Sequence, residues 1–469
     1  MVYSILTFRI HPVILFSRSV VGRRIFFVLV IASIAQSSTT PFSFATQHRE
    51  NLWNGASCLS IQRAGSDEEM PYTRSVVLQQ WLFGYELPDT VMLLKADGNL
   101  WVCGTKKKCE FIRPAVGKDK DFTIHLLLRN KEDGNAENYA TLLKEATAGG
   151  ATKVGVLMKE RSINKEAGEK SIVQSYEGKL EENDKVELVD ATHGLALVMA
   201  VKDETERDLM KKSSVLSNKV MKHGFVKRLE DIIEEETKIT HENFSSEIEA
   251  IIEDPNKIKL NVPTDDVQPC YFPIIQSGGN YELKVSAQST SDSLKHDIII
   301  VSLGARYKLY CSNITRTFLV DPPKKVSKMY EVLLEVQEAC LAAMQPGNPL
   351  KSVYKAAVSY LKKNGHEDLI DKLPKNLGFA QGLDFRDSTL LLSPKNSVTL
   401  RKGMVFSLSI GFQNLELKSS HLSNTPNNSP VRKWFCRLNG NTISFCSLLT
   451  NLLFYSQRID RLKALTLTL

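Results

Sequence analysis

A chain of 469 residues, 42% hydrophobic and 24% charged, has the composition of a globular protein of two or three domains and excludes a disordered or fibrous one. Its formal charge of +7 would suit a nucleic-acid binder, but the excess sits at the ends: residues 1–45 carry four Arg and no acid, and residues 418–469 carry seven Lys or Arg against Asp460. The intervening 46–417 is close to −3, too nearly neutral for a broad electrostatic footprint, so no direct DNA binding is expected.

In chain order, residues 1–45 come first. Arg23 and Arg24 precede an 11-residue, largely apolar run, Ile25–Ala35, that closes on a small-x-small pattern at Ser33-Ile34-Ala35. That is the pattern of a secretory signal, and the run is short for a membrane span. Residues 46–205 read as an α/β lobe. "TRSVVLQQWLFGYEL" has helical apolar spacing and is stopped by Pro88; "DTVMLLKADGNLWVCG" reads as a hairpin turning at Ala96-Asp97-Gly98-Asn99; "TKKKCE" reads as a solvated loop. "NAENYATLLKEATAGG" is a helix with a Gly-Gly stop, and "KVGVLM" a buried strand. The eight cysteines form no C-x-x-C pair, which argues for free thiols over a zinc site or a disulfide framework.

From about residue 206 the pattern turns helical and charged. Leu209, Val215, Leu216, Val220, Phe225 and Leu229 trace an apolar stripe along "DLMKKSSVLSNKVMKHGFVKRLEDIIEEE". The lobe 206–417 continues with the hairpin "DIIIVSLGARYKLYCSNITRTFLVDPP", the helices "SKMYEVLLEVQEACLAAMQPG" and "PLKSVYKAAVSYLKKNGHEDL", and the turn and strand "VTLRKGMVFSLSIGF". Residues 418–469 read as a divergent basic tail, a Ser/Asn/Pro linker followed by apolar runs with no evident partner.

The order of these pieces, a hairpin ending in "ITRTF", two helices, a glycine-rich strand and then "GMV", resembles the pita-bread fold of methionine aminopeptidases, prolidases and creatinases. The resemblance implies an α/β N-terminal lobe plus an α+β pita-bread (creatinase/aminopeptidase-like) lobe. It also implies a site in which two Asp, one His and two Glu hold two divalent ions that activate a bridging water. Set against that pattern, the two Asp positions fall on Ser302 and Asn313, the His on Phe379 and the first Glu on Ser409, while Arg386 replaces a second His of the proline-specific members. The fifth ligand lies beyond the point where the sequences part. None of the four replacements is a carboxylate or an imidazole, so no catalytic residue, metal or cofactor is expected. Nearby Asp384 and Asp387 are read as solvated acids. Tyr281 in "QSGGNYE" is read either as part of a peptide cleft or as part of a tight turn packed on the core.

A narrower resemblance rests on "WLFGYELPDTVMLL", "YFPIIQSGGNYELKVSAQST", "SLGARYKLYCSNITRTFLVDPP" and "GFAQGLDFRDSTLLL". Together these are similar to the amino-terminal region of the large subunit of FACT histone chaperones, across 46–417. That resemblance implies a non-catalytic, nuclear, chromosome-associated module that binds histones, with the H3–H4 pair favoured over the other core-histone pair. It implies reorganisation of nucleosomes in transcription, replication and repair alongside an HMG-box small subunit. The family's dimerisation region and acidic tail have no counterpart in the sequence, so pairing with that subunit is not expected of this chain alone. The signal-like residues 23–35 keep a secretory alternative open. In function, the alternatives are a metallopeptidase with an altered site and a scaffold that binds nothing. The histone-contacting residues are not identified by sequence.

Overall fold

The computed structural model describes residues 52–416, apart from 66–69, 117–122, 131, 133, 162–171, 280, 285 and 321, together with 442–453. The signal-like run Ile25–Ala35 and the rest of 1–45 lie outside the described residues, as does most of 418–469. The chain divides into two compact units, Met1–Val198 and Met199–Leu469. Among the described residues no helix is long and apolar enough to cross a membrane.

The first unit is built on a six-stranded sheet. Its strands are β1 (Cys58–Arg63), β2 (Thr90–Lys95), β3 (Asn99–Gly104), β4 (Thr123–Leu128), β5 (Lys153–Val156) and β6 (Glu187–Asp190), in the order β4-β3-β2-β1-β5-β6. The β2–β3 hairpin pairs Leu94 with Leu100 and turns through Gly98 at φ 91°. β1 pairs antiparallel with β2 and parallel with β5, so the sheet is mixed. Helix α1 (Arg74–Phe83) ends earlier than Pro88 requires: Gly84, at φ 75°, closes it with its N–H on Gln80 O. The segment read as a solvated loop is instead a short helix, α2 (Lys106–Ile112), because Cys109 and Ile112 are buried beneath it while Lys106 and Lys107 stay outside. Helices α3 (Ala136–Ala146) and α4 (Ile172–Glu181) seat Tyr139, Leu142, Val173 and Tyr176 in one core with Val91, Leu93, Val154 and Val156.

The second unit opens with helix α5 (Glu204–Lys219), which starts with a capping box: Asp203 accepts the Glu206 N–H, and Glu206 returns a carboxylate to the Asp203 N–H. One wider, π-type turn, Val220–Val226, carries it into α6 (Lys227–Glu234). The apolar stripe read from sequence needs correcting here. Val215 is 58% exposed, and the buried face instead runs through Met210, Ser213, Leu216, Ser217 and Val220. The serines are buried because each finds a partner. Ser213 Oγ donates to Ala305 O at 2.7 Å, Ser217 Oγ accepts the Ala305 N–H at 2.9 Å, and Ser312 Oγ lies 2.8 Å from Ser213 Oγ and 2.7 Å from Ser217 Oγ.

Helix α7 (His241–Glu253) packs on the same core, with the Phe225 and Phe244 rings stacked at 4.8 Å. Short strands β7 (Val267–Pro269) and β8 (Ile274–Gln276) precede the hairpin predicted from sequence. That hairpin forms as β9 (Ile298–Leu303), β10 (Ala305–Tyr307), β11 (Tyr310–Cys311) and β12 (Ile314–Leu319). β9 is central to one three-stranded sheet and β10 to another. Helices α8 (Lys324–Ala343) and α9 (Lys351–Lys363) follow, then β13 (Gly378–Ala380) and β14 (Val405–Glu416). Part of the expected tail does have a partner: β15, Thr442–Leu453, pairs antiparallel with β14.

The connection from β8 to β9 is tied down along its length. Ser277 Oγ accepts the Lys295 N–H and lies 2.7 Å from His241 Nε2; His241 Nδ1 in turn lies 3.2 Å from Thr290 Oγ1. Burial lowers the His241 pKa. Tyr281 Oη donates to Ile298 O at 2.7 Å, which fixes "QSGGNYE" as a packed turn. Asp297 Oδ1 accepts the N–H groups of Gly278 and Ile298. Burial nevertheless pushes its pKa up from 3.8 to about 6.

A carboxyl whose pKa is higher folded than unfolded contributes stability at low pH and loses it as pH rises through its folded value, here about 6. Ionised Asp297 is therefore a burden at neutral pH, on the order of 3 kcal/mol. Asp297→Asn keeps the Oδ1 acceptor and removes the charge. It is expected to raise stability by roughly that amount at about pH 8, with the gain shrinking toward about pH 4.5 in denaturant titrations. An equal gain at both pH values would contradict the assignment.

Candidate functional site

The strand pairing brings two of the four expected ligand positions together. β9 and β12 run antiparallel with Ser302 opposite Thr315, and Asn313 immediately precedes the return strand. Tyr271, from the link between β7 and β8, inserts its hydroxyl between them. Thr315 Oγ1 donates to Ser302 Oγ at 2.8 Å, Ser302 Oγ lies 2.6 Å from Tyr271 Oη, and Tyr271 Oη donates to Asn313 Oδ1 at 2.5 Å. Since the amide oxygen can only accept, the protons run in one direction, from Thr315 through Ser302 and Tyr271 to Asn313.

Gly304 makes this arrangement possible. A Cβ there would meet Ser312 O at 2.5 Å, the Tyr271 ring at 3.1 Å and Cys270 Cβ at 3.2 Å. Cys270 and Cys311 flank it as buried, reduced thiols, and burial, with Cys311 alongside, raises the Cys270 pKa. Cys58, Cys103, Cys109, Cys270, Cys311 and Cys340 are all buried thiols outside any disulfide, as the sequence led us to expect.

Phe379 joins the cluster through aromatic contacts. The Tyr271 ring lies 4.9 Å from that of Phe385, and Phe385 lies 5.6 Å from Phe379, edge to face. The Arg386 guanidinium sits 5.7 Å from the centre of the Phe379 ring. Across the β13–β14 ladder Phe379 pairs with Ser407, whose buried hydroxyl finds no hydrogen-bond partner, and Ser409 follows two residues on with its N–H bonded to Leu377 O. The reading of Asp384 and Asp387 as solvated acids is corrected: they are 9% and 5% exposed. Asp384 accepts the Arg386 N–H, and Asp387 accepts both the N–H and the hydroxyl of Thr389. They shape the loop that carries Phe385 and Arg386.

Sequence reasoning missed Tyr271, Thr315 and Phe385. Tyr271 reaches its partners across 31 and 42 residues of chain, so no local spacing announces it. As donors, the cluster supplies hydroxyls, an amide and aromatic rings, with an added cation. That set does not fit a pair of divalent ions, which need several anionic oxygens or imidazoles. Among the described residues no three His, Cys, Asp or Glu side chains are gathered into a possible metal centre.

Two family models match the chain. One, described as the FACT complex subunit SPT16 N-terminal lobe domain, covers residues 40–194, and the other, metallopeptidase family M24, covers 208–432. FACT complex subunit SPT16 of Oryza sativa is 36% identical over 381 residues, which is 79% of this chain and 35% of that protein. The corresponding subunit of Dictyostelium discoideum is 34% identical over 371 residues, 78% of this chain and 34% of that protein. This chain thus spans about a third of the length of these relatives. Among solved structures, the N-terminal domain of SPT16 from Cicer arietinum superposes with a TM-score of 0.79 at 30% identity, covering 93% of this chain and 94% of that one. Prolidase from Pyrococcus furiosus, at 17% identity and a TM-score of 0.56, covers 88% of this chain and all (100%) of that one, and shares the fold alone. The pita-bread architecture expected from sequence is thereby shown, and the chain belongs to the family of FACT complex subunit SPT16, corresponding to its N-terminal domain.

Proposed function

We propose that this chain is a non-catalytic, aminopeptidase-like module that binds histones, the H3–H4 pair in preference to the other core-histone pair, as part of a nuclear nucleosome-reorganising chaperone serving transcription, replication and repair. Membership of the SPT16 family carries this reading. A surface feature supports it. Residues 227–254, which form α6, α7 and their connection, hold ten carboxylates against three Lys or Arg. Glu230, Glu234, Glu235, Glu236, Glu242 and Glu253 are exposed. Charge in 46–417 is near neutral as a whole, so attraction for a basic partner has to come from a local field of this kind. Glu249, on the same helix, has its pKa raised, first by burial and then by the Glu253 charge.

The non-catalytic part rests on the donor set around Ser302, Asn313, Phe379 and Ser409. The purified chain is expected to retain no stoichiometric divalent ion after dialysis and to leave Xaa-Pro and Met-Xaa peptides uncut. Two equivalents of retained manganese, cobalt or zinc, with turnover abolished by a chelator, would restore the peptidase reading.

Histone binding is tested by titrating labelled H3–H4 into the full chain. Affinity is expected to fall with added salt, because exposed charges are screened over about 10 Å at 0.1 M. The triple variant Glu234→Lys, Glu235→Lys, Glu253→Lys places cations near helix C-termini, where they suit the helix dipole and the fold is retained. Binding is expected to weaken by roughly tenfold, about 1.4 kcal/mol. Binding no better than that of an unrelated protein of equal charge would leave only the scaffold reading.

A further inference from the structure

The near-neutral total of 46–417, on which the expectation of no DNA contact rests, averages over a local contrast within the second unit. Residues 209–229 hold six Lys or Arg and no acid, and acids resume at Glu230. That acidic stretch engages the last two bases, with Lys227 2.9 Å from Asp231 and Arg228 2.8 Å from Glu247. The other four, Lys211, Lys212, Lys219 and Lys222, are exposed. Helix register alone places them together. At 3.6 residues per turn, Lys211, Val215, Lys219 and Lys212 fall within an arc of about 100°. That arc lies opposite the face on which Ser213, Leu216, Ser217 and Val220 are buried. Val215, 58% exposed, sits in its middle, and Lys222 follows on the wide turn.

Little opposes this row. Asp208, on the same face, lies 3.7 Å from Lys211, while Lys212, Lys219 and Lys222 form no ion pair among the described residues. Lys212 Nζ instead lies 5.7 Å from the centre of the Tyr307 ring, and Lys308 Nζ lies 5.9 Å from it, with Lys308 paired to Asp266 at 3.5 Å. We propose that Lys211, Lys212, Lys219 and Lys222, set around Val215 on α5 and the wide turn, dock on the phosphate backbone of duplex DNA.

The chemistry of the row fits a duplex backbone. From residue 211 to 222 it is about 16 Å long. A duplex carries one charge per about 1.7 Å of axis, about 3.4 Å along each strand, so the row spans about five phosphates of one strand. Lysines act as point charges on phosphate and position a protein without reading sequence. A single strand calls for open aromatic faces on which bases stack, and the one ring beside the row, Tyr307, is partly buried and already faces two lysines. An acidic peptide draws its affinity from large apolar anchors seated in pockets, whereas Val215 is a small side chain on a convex helix face. This site is independent of the histone reading, and no histone enters its test.

The test titrates the full chain into a labelled DNA duplex of mixed sequence and follows fluorescence anisotropy at several salt concentrations, with labelled oligothymidine and oligoglutamate as parallel probes. Residues 1–45 and 418–469 are also basic, so the readout is the difference between variants. Lys212→Ala, Lys219→Ala, Lys222→Ala together introduce the best helix former and leave the buried face untouched. This triple is expected to weaken duplex binding at least tenfold at low salt and to make the slope of log K against log salt shallower by about 2.7. The control triple Lys355→Ala, Lys362→Ala, Lys363→Ala removes the same charge from exposed positions on α9 and is expected to change neither. Arginine at 212, 219 and 222 is expected to retain binding. Circular dichroism establishes that each variant is folded; should the first triple fail to fold, Lys219→Ala alone decides, with a slope change of about 0.9. The proposal is overturned by absence of duplex binding, by binding indifferent to the first triple, by equal weakening from both triples, or by either parallel probe binding as tightly as the duplex.

Discussion

The second unit depends on a buried crossing at Gly304 and Ala305. Here both peptide groups of one residue are satisfied by a helix: Ala305 N–H by Ser217 and Ala305 C=O by Ser213, with Ser312 closing the group from the next strand. A buried peptide group left unpaired costs a few kcal/mol, so this fastening fixes the register of α5 against the hairpin. Missing its Cβ, Gly304 lets Cys270, the Tyr271 ring and Ser312 O approach the same point. Ser302 on one side and Asn313 on the other inherit their positions from that crossing.

The wide turn at Val220–Val226 follows from the same fastening. The serine-bearing face of α5 is set by Ala305, while Phe225, Leu229 and Ile232 must reach the core shared with α7. One π-type turn resets the helix phase between the two demands. Gly224 sits within it, where a Cβ would lie 3.3 Å from Ile251 Cδ1.

The sequence was informative where a rule acts locally. Alternating and helical hydrophobicity placed β2, β3, α3, α8 and α9, and at α1 only the last residues were misplaced, because Gly84 stops the helix before Pro88 does. It misled where a polar residue is buried by a distant partner. Ser213 and Ser217 lie outside the apolar stripe read from sequence, and their reason to be inside is Ala305, 92 and 88 residues away. Asp384 and Asp387 read as solvated because their service to the loop backbone is invisible in composition. The positions Ser302, Asn313, Phe379 and Ser409 were located by resemblance alone, and the residue that links the first two, Tyr271, belongs to no motif.

That link accounts physically for the coherence of the replacements. In a two-metal site, clustered carboxylates repel one another unless cations lie between them, so the ions act as cross-links between strands as well as catalysts. Removing the ions while keeping the acids would leave buried like charges facing each other. Ser302 and Asn313 carry no charge, and the chain of protons from Thr315 through Ser302 and Tyr271 to Asn313 joins the strands directly. Phe379, at the position where the sequence resemblance led us to expect an imidazole, packs on Phe385, and the Arg386 guanidinium lies over its ring. Side by side, these hydroxyls, the amide and the rings form one cross-link between the strands that is made of the protein's own groups.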